Sequence, residues 1–194
     1  MSRIAGWLAA ATLALGLGAC VPEFQNAMEG GNAADPALIG TWSAKSADDD
    51  QAMLLEVTAQ GDGVAVVLRD PSGGAEKLAF TGHTAAANGV SYISLTPVDS
   101  EAAGAGDVKV GYMIFRYRAE GAGFKVWALD GEIIGKAIES GKLKGTVTGS
   151  GTDTTPKVTA TSAELAAYFA APEGQAAFAD DEPGDTLILT RVKP

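Results

Sequence analysis

Short runs in which apolar and polar residues alternate recur along this chain from residue 38 onward. Such period-two alternation is typical of β-strands that bury one face and leave the other in water. Between the runs stand clusters rich in Gly, Pro, Asn and Asp, which favour turns. The pattern predicts strands at 38–45, 52–59, 63–69, 76–84, 90–96, 108–118, 123–129 and 186–192, with weaker segments at 144–148 and 156–160.

The turns between these predicted strands have the chemistry of tight hairpins. Residues 60–63 are Gln-Gly-Asp-Gly, and Asn88-Gly89 is a pair that readily adopts positive φ. At 70–74 a proline presets the backbone before two glycines, and Glu-Gly-Ala-Gly at 120–123 joins the two strongest predicted strands. A regular succession of short strands and hairpins predicts an antiparallel meander that closes into a barrel.

Two helices interrupt the strand pattern late in the chain. The first is predicted over 131–140 with Asp130 as its N-cap, and its apolar face consists of Ile133, Ile134, Ala137 and Ile138. The second is predicted over 162–171, where Thr161 and Glu164 have the spacing of a capping box. Because each helix is amphipathic, we expect each to lie against the sheet or to cover one end of it.

The first twenty residues have the arrangement of an export signal. Arg3 is the only early charge, and residues 4–17 form an uncharged run rich in Ala, Leu and Gly. That run has the length of a signal-peptide core and is too short to span a bilayer comfortably. It ends in Leu17-Gly18-Ala19-Cys20, which resembles the lipobox of bacterial lipoproteins. The resemblance implies cleavage before Cys20 and acylation of this residue.

The lipobox resemblance also implies a location and a division of the chain. Acyl chains on Cys20 satisfy the two-signal requirement for stable anchoring, so the membrane is the expected partner and the cell envelope the expected location. Val21 stands where an Asp would retain an enteric lipoprotein in the inner membrane, which favours the outer membrane, facing the periplasm. We expect residues 1–19 to be the signal peptide, 20–36 the lipidated Cys and a flexible tether, and 37–194 the folded domain.

Charge and cysteine content narrow the possible partners. Loss of Arg3 with the signal peptide changes the net charge from −10 to −11. An acidic surface repels phosphate backbones, so nucleic-acid binding is not expected. Cys20 is the only cysteine, which excludes an intrachain disulfide.

A second resemblance concerns the domain itself. Gly40-Thr41-Trp42 stands on the first predicted strand and is similar to the G-x-W signature of lipocalins and related calycin barrels. In those barrels the Trp packs across the closed end, and a basic residue on or after the last strand covers its ring. Arg191, in an otherwise apolar final strand, matches that basic residue. The resemblance implies that contact between Trp42 and Arg191 marks closure of the barrel through its first and last strands.

The expected fold is therefore mainly β, an antiparallel up-and-down lipocalin-like barrel with two short helices late in the chain. In lipocalins the helix tends to follow the eighth strand, whereas both helices predicted here precede the last strand. Residues 112–145 also resemble a pattern in small uncharacterised bacterial lipoproteins, which brings no known activity with it.

Neither a catalytic centre nor a metal site is predicted. His83 is the only histidine and no nucleophile motif accompanies it, so a surface histidine is favoured over a general base. Zinc would need clustered His and Cys. The acidic runs at 48–50 and 180–185 lack the ligand spacing of a calcium loop and are interpreted as solvated turns. We expect no enzyme activity, no metal and no cofactor.

Arg116 and Arg118 alternate with aromatic residues on one predicted strand. Two arginines on one face would suit an anionic head group, but a solvent-facing strand with carboxylate partners is the favoured interpretation. For the function, we expect a membrane-tethered, non-enzymatic binding module that holds a small apolar ligand or an envelope protein partner. A structural or inhibitory protein that acts through its outer surface is the alternative, and an enzyme ranks last.

Overall fold

A closed antiparallel barrel forms the centre of the protein. The computed structural model describes residues 21–28, 34–46, 52–71, 76–98, 111–149, 155–178 and 186–192. Numbered along the chain, the eight barrel strands are β2 Gly40–Ser46, β3 Ala52–Gln60, β4 Gly63–Arg69, β5 Glu76–Ala87, β6 Val90–Pro97, β7 Met113–Glu120, β8 Gly123–Trp127 and β11 Thr186–Arg191. Their order is β11-β2-β3-β4-β5-β6-β7-β8, and pairing of β8 with β11 closes the ring. The predicted up-and-down barrel is confirmed.

The strand pattern and the hairpins follow the sequence closely. The turn between β5 and β6 has φ of +50° at Asn88 and +77° at Gly89, the signs that a type I′ hairpin requires. Gly61 and Gly121 also have positive φ in the β3–β4 and β7–β8 turns. These three hairpins lie at the same end of the barrel, because consecutive antiparallel strands turn alternately at opposite ends.

Between β8 and β11 the chain leaves the barrel and forms a second layer on its outer face. This layer contains α1 Gly131–Glu139, β9 Gly145–Thr148, β10 Thr155–Val158, α2 Ser162–Ala170 and α3 Pro172–Ala176. Strands β9 and β10 pair antiparallel in a separate small sheet. Both predicted helices are present before the last barrel strand, so the order of elements differs from that of lipocalins as expected.

Side-chain caps define where the two predicted helices begin. The Asp130 carboxylate accepts hydrogen bonds from the backbone N–H of Glu132 at 2.7 Å and of Ile133 at 3.2 Å. Thr161 and Glu164 form a complete capping box at the start of α2. Pro172 follows this helix and begins α3, since the first turn of a helix does not need the N–H that proline lacks.

The second layer buries its own hydrophobic core against the outside of β5, β6 and β7. The largest fully buried side chains of this outer core are Phe24, Tyr92, Trp127, Phe169 and Phe178. The Phe169 ring centroid lies 5.7 Å from that of Tyr92 and 5.4 Å from that of Phe178. Barrel strands β5 to β7 therefore contribute apolar side chains from both faces, to the lumen on one side and to the outer core on the other.

The segment before the barrel corrects the expectation of a flexible tether over residues 20–36. Strand β1, at Glu23–Phe24, pairs in parallel with β10, and Phe24 also bridges to Tyr112. Phe24 and Met28 are fully buried in the outer core, so the folded domain begins before residue 37. The sequence pattern missed this segment because isolated apolar residues show no period. Their burial depends on a groove that distant elements build.

Candidate functional site

The barrel encloses an apolar lumen with a volume of about 90 Å³. Side chains from all eight barrel strands line it together with Leu38. The lining consists of Leu38, Ala44, Met53, Leu55, Val57, Val66, Leu68, Phe80, Ile93, Leu95, Met113, Phe115, Tyr117, Val126, Leu187 and Leu189. None of these sixteen side chains is charged, and only Tyr117 carries a polar atom. The alternation along each strand therefore produces a hydrocarbon interior, as a half-buried strand pattern predicts.

Exposure of the lining side chains differs between the two ends of the barrel. Met53, Leu95, Met113 and Leu187 are half-buried, whereas Leu189 and other residues toward the hairpin end are buried. We refer to the end marked by these four half-buried residues as the open end. The strand connections at that end contain 47–51, 72–75, 99–110 and 179–185, which lie outside the described residues.

Aromatic side chains fill the opposite, closed end. Trp42 is 2% exposed, and its indole N–H donates to the backbone carbonyl of Leu38 at 2.8 Å. The Phe124 ring stands edge-on to Trp42 at 5.2 Å and to Tyr117 at 5.9 Å. These aromatic side chains close the lumen at this end.

The Trp42 and Arg191 contact predicted from the sequence is present. The Arg191 guanidinium carbon lies 4.7 Å from the Trp42 ring centroid, inside the limit of about 6 Å for a cation–π contact. The two residues face each other in the β2–β11 pairing, and the guanidinium also donates to the Ile39 carbonyl at 2.9 Å. Gly40 has φ of +146°, and a Cβ there would lie 3.2 Å from the Arg191 Nη2 atom. Gly40, Trp42 and Arg191 thus meet at one closure point.

A short segment ahead of β2 covers the closed end and is held by a buried polar contact. The Tyr117 hydroxyl donates to Asp35 Oδ2 at 2.9 Å, and the backbone N–H of Asp35 donates to the Thr84 hydroxyl at 3.2 Å. Burial raises the pKa of Tyr117 well above its usual value, and the hydrogen bond to the Asp35 carboxylate raises it further. The phenol therefore stays neutral and donates a hydrogen bond to Asp35.

Among the described residues, the others singled out in the sequence do not converge on a site. His83 is exposed on β5. Cys20 and the acidic runs at 48–50 and 180–185 lie outside the described residues. Within the part of the chain that the structure describes, no three His, Cys, Asp or Glu side chains cluster as a metal site requires. Likewise, no described helix is long and apolar enough to cross a bilayer.

Arg116 has a role that the sequence analysis did not anticipate. Its guanidinium carbon lies 4.3 Å from the Trp127 ring centroid and 5.4 Å from that of Phe178, on the outside of the barrel. Arg118 and Lys125 also approach the Trp127 ring, at 5.3 Å and 4.9 Å. Arg116 thus packs at the edge of the outer core, which differs from the solvent-facing position expected of it. The sequence contains both Trp127 and Arg116, but only the β7–β8 register brings the two residues together.

The lumen is accordingly the described feature with the clearest capacity to hold a ligand. It is apolar and lined by all eight barrel strands, whereas the outer surface of the barrel is covered on one side by the helical layer. No protein-family model, no curated protein and no solved structure matches this chain.

Proposed function

We propose that this chain is a lipid-anchored protein of the bacterial cell envelope that binds one aliphatic chain in the lumen of its barrel. The observation that carries the proposal is the lumen lining, in which none of sixteen side chains is charged. Placing an unpaired polar group among them would cost on the order of 2–7 kcal/mol. Because the Tyr117 hydroxyl already donates to Asp35, the lumen suits only the hydrocarbon part of an amphiphile.

The methionine side chains at the open end favour a flexible chain over a rigid ring system. Met53 and Met113 stand at the open end, and the unbranched methionine side chain adapts readily to bound groups. The geometry suits an alkyl or acyl chain that enters lengthwise while its polar head remains at the open end.

The proposed envelope location rests on the run Leu17-Gly18-Ala19-Cys20. An acylated Cys20 would hold the barrel at a membrane, with the outer membrane facing the periplasm as the favoured site. Anchoring and ligand binding are mutually consistent, because amphiphiles with alkyl chains concentrate in membranes. A protein tethered there meets its ligand at a high effective concentration.

Calorimetric titration of the Cys20→Ser protein with hexanoic acid, whose short chain suits the small lumen, tests ligand binding. We expect saturable binding with a negative heat-capacity change, since apolar surface is removed from water. Ala44 lines the lumen, so Ala44→Leu should occupy part of it and weaken binding by about tenfold or more. Ala65, on β4, points away from the lumen, and Ala65→Leu is the matched control.

Two results would contradict the proposed ligand site. One is the absence of saturable binding to the protein with an unmodified lumen. The other is equal affinity of the Ala44→Leu and Ala65→Leu variants, which would place any bound chain outside the lumen. Circular dichroism of both variants should match that of the parent protein, so that loss of binding reports on the lumen and not on unfolding.

A further inference from the structure

We infer that Met53 and Met113 form a reversible oxidation site, at which conversion of their thioethers to sulfoxides releases the aliphatic chain from the lumen. This inference rests on the proposed function and deepens it, because it gives the same lumen a form of regulation. The oxidant is a peroxide, and the reacting atoms of the protein are the two sulfur atoms. Both residues lie in the part of the chain that the structure describes.

The methionines of the chain differ in their surroundings. The sequence has four, of which Met1 belongs to the predicted signal peptide. Met53 on β3 and Met113 at the start of β7 line the lumen, and both are half-buried. Met28, in contrast, is 0% exposed and belongs to the outer core. A small solute can therefore reach the two lumen methionines, whereas the fold protects Met28.

The order of the strands places the two lumen methionines on opposite walls of the barrel. Three strands separate β3 from β7 in either direction around the ring. Met53 pairs with Ala44 on β2, and Met113 pairs with Leu95 on β6. Both of these partners also line the lumen, so each thioether has hydrocarbon neighbours. An aliphatic chain that lies along the barrel axis at the open end passes between the two methionines.

Oxidation of a thioether by hydrogen peroxide is a two-electron transfer of one oxygen atom. A lone pair on sulfur attacks one peroxide oxygen, so that an S–O bond forms and the O–O bond breaks. The other oxygen leaves as hydroxide and takes the proton from the transferred oxygen, which gives water and the sulfoxide. Because no residue of the protein has to supply a proton or an electron, access to the sulfur is the main requirement.

The sulfoxide oxygen is a strong hydrogen-bond acceptor in a lumen that has no free side-chain donor for it. Among the described side chains that line the lumen, only Tyr117 has a hydroxyl group, which already donates to Asp35 at 2.9 Å. A sulfoxide at either methionine must therefore keep water beside it, and the hydrocarbon wall that the aliphatic chain contacts is interrupted. Oxidation weakens binding for this reason, and reduction of the sulfoxides restores it.

Peroxide treatment of the Cys20→Ser protein tests the modification. The substitution removes the only thiol, which leaves methionine as the most readily oxidised side chain. Peptide mass mapping measures the gain of one oxygen at each methionine as exposure to hydrogen peroxide increases. We expect Met53 and Met113 to be oxidised several times faster than Met28, and saturating hexanoic acid to slow their oxidation alone. Equal rates at the three residues, or no protection by hexanoic acid, would overturn the site.

Titration of the same protein with hexanoic acid before and after oxidation tests the release. We expect the oxidised protein to bind about tenfold or more weakly. Methionine sulfoxide reductases of both epimer specificities, with dithiothreitol, should recover most of the affinity. A variant with both Met53→Leu and Met113→Leu is compared only with itself, and peroxide should leave its own affinity unchanged. Met28→Leu is the matched control, and peroxide should weaken its binding as it weakens that of the parent.

These measurements separate failure of the oxidation site from failure of the proposed function. If the untreated protein does not bind hexanoic acid, the proposed ligand site is wrong and its regulation is wrong with it. If the untreated protein binds, but complete oxidation of Met53 and Met113 leaves the affinity unchanged, the ligand site stands and the oxidation site is overturned. An equal loss of affinity in the double variant would also overturn it, because the oxidised group would then lie elsewhere in the chain.

Discussion

Arg191 joins the two ends of the domain sequence through a single side chain. Its guanidinium lies against the Trp42 ring and donates to the Ile39 carbonyl. Gly40 makes this position possible, because a side chain there would both crowd the guanidinium and require an L-residue to adopt φ of +146°. The contact combines a cation–π interaction with a charge-assisted hydrogen bond, so its loss should be measurable in the stability of the barrel.

We predict that Arg191→Met lowers the free energy of unfolding by about 1–2 kcal/mol. Urea denaturation, monitored by tryptophan fluorescence, measures this loss of unfolding free energy. Arg69→Met is the matched control, since Arg69 forms only a partly exposed ion pair with Glu56 at 3.5 Å, and its loss should cost less than about 1 kcal/mol. Equal losses in the two variants would show that the contact with Trp42 adds nothing beyond an ordinary surface charge.

Helix α2 begins at a capping box, and the Glu164 carboxylate of this box also forms an ion pair with Lys144. Lys144 donates to Glu164 Oε1 at 2.5 Å, and the backbone N–H of Thr161 donates to Oε2 at 2.8 Å. These hydrogen bonds lower the pKa of Glu164 to about 2. The hydrogen bond from Lys144 has the largest effect, and those from Thr161 come next. The same contacts attach the start of α2 to Lys144, which precedes β9. The cap therefore stabilises the second layer as well as the helix.

The lowered pKa predicts a pH-dependent contribution of Glu164 to stability. In the unfolded chain this carboxyl group has a pKa near 4.5, so its contribution is present above about pH 4.5 and is lost as the pH falls toward 2. Urea denaturation of wild type and Glu164→Gln between pH 7 and pH 2 measures it. We expect the stability difference between the two proteins to shrink toward zero across that interval. A difference independent of pH would contradict the role of the ionised carboxylate.

The protein contains two hydrophobic cores that share the walls of one barrel. The lumen core holds Trp42 and Phe124, and the outer core holds Phe24, Tyr92 and Phe169. The Tyr92 hydroxyl, on the outer face of β6, donates to the carbonyl of Phe169 in α2 at 3.1 Å. Because the N-terminal segment supplies Phe24 to this outer core, the stability of the domain depends on residues that precede the barrel.

We predict that Phe24→Ala lowers the free energy of unfolding by about 3–5 kcal/mol, the usual cost of truncating a buried aromatic side chain. Gln25 is the adjacent exposed residue, and Gln25→Ala should stay within about 0.5 kcal/mol of wild type. Thermal and urea denaturation give both values. Wild-type stability in the Phe24→Ala variant would mean that the segment behaves as a tether after all.

The strands, hairpins and helix starts could be predicted from the sequence because each depends on neighbours a few residues away. Period-two alternation places β3 and β4, Asn88-Gly89 supplies the positive φ of a hairpin, and Thr161 with Glu164 is a complete local cap. The contact of Trp42 with Arg191 is not local. It was predictable only because a resemblance to lipocalins supplied the partner.

Tertiary structure alone decided the features that depend on which distant surfaces meet. Phe24 and Met28 have no periodic neighbours, and only the groove built by β10, α2 and the start of β7 buries them. Arg116 lies over Trp127 because the β7–β8 register places them side by side. Whether the lumen is filled or partly empty likewise depends on how sixteen side chains from eight strands and Leu38 share one volume. Local propensity determines the elements, whereas burial is a property of pairs of surfaces that come together only when the barrel closes.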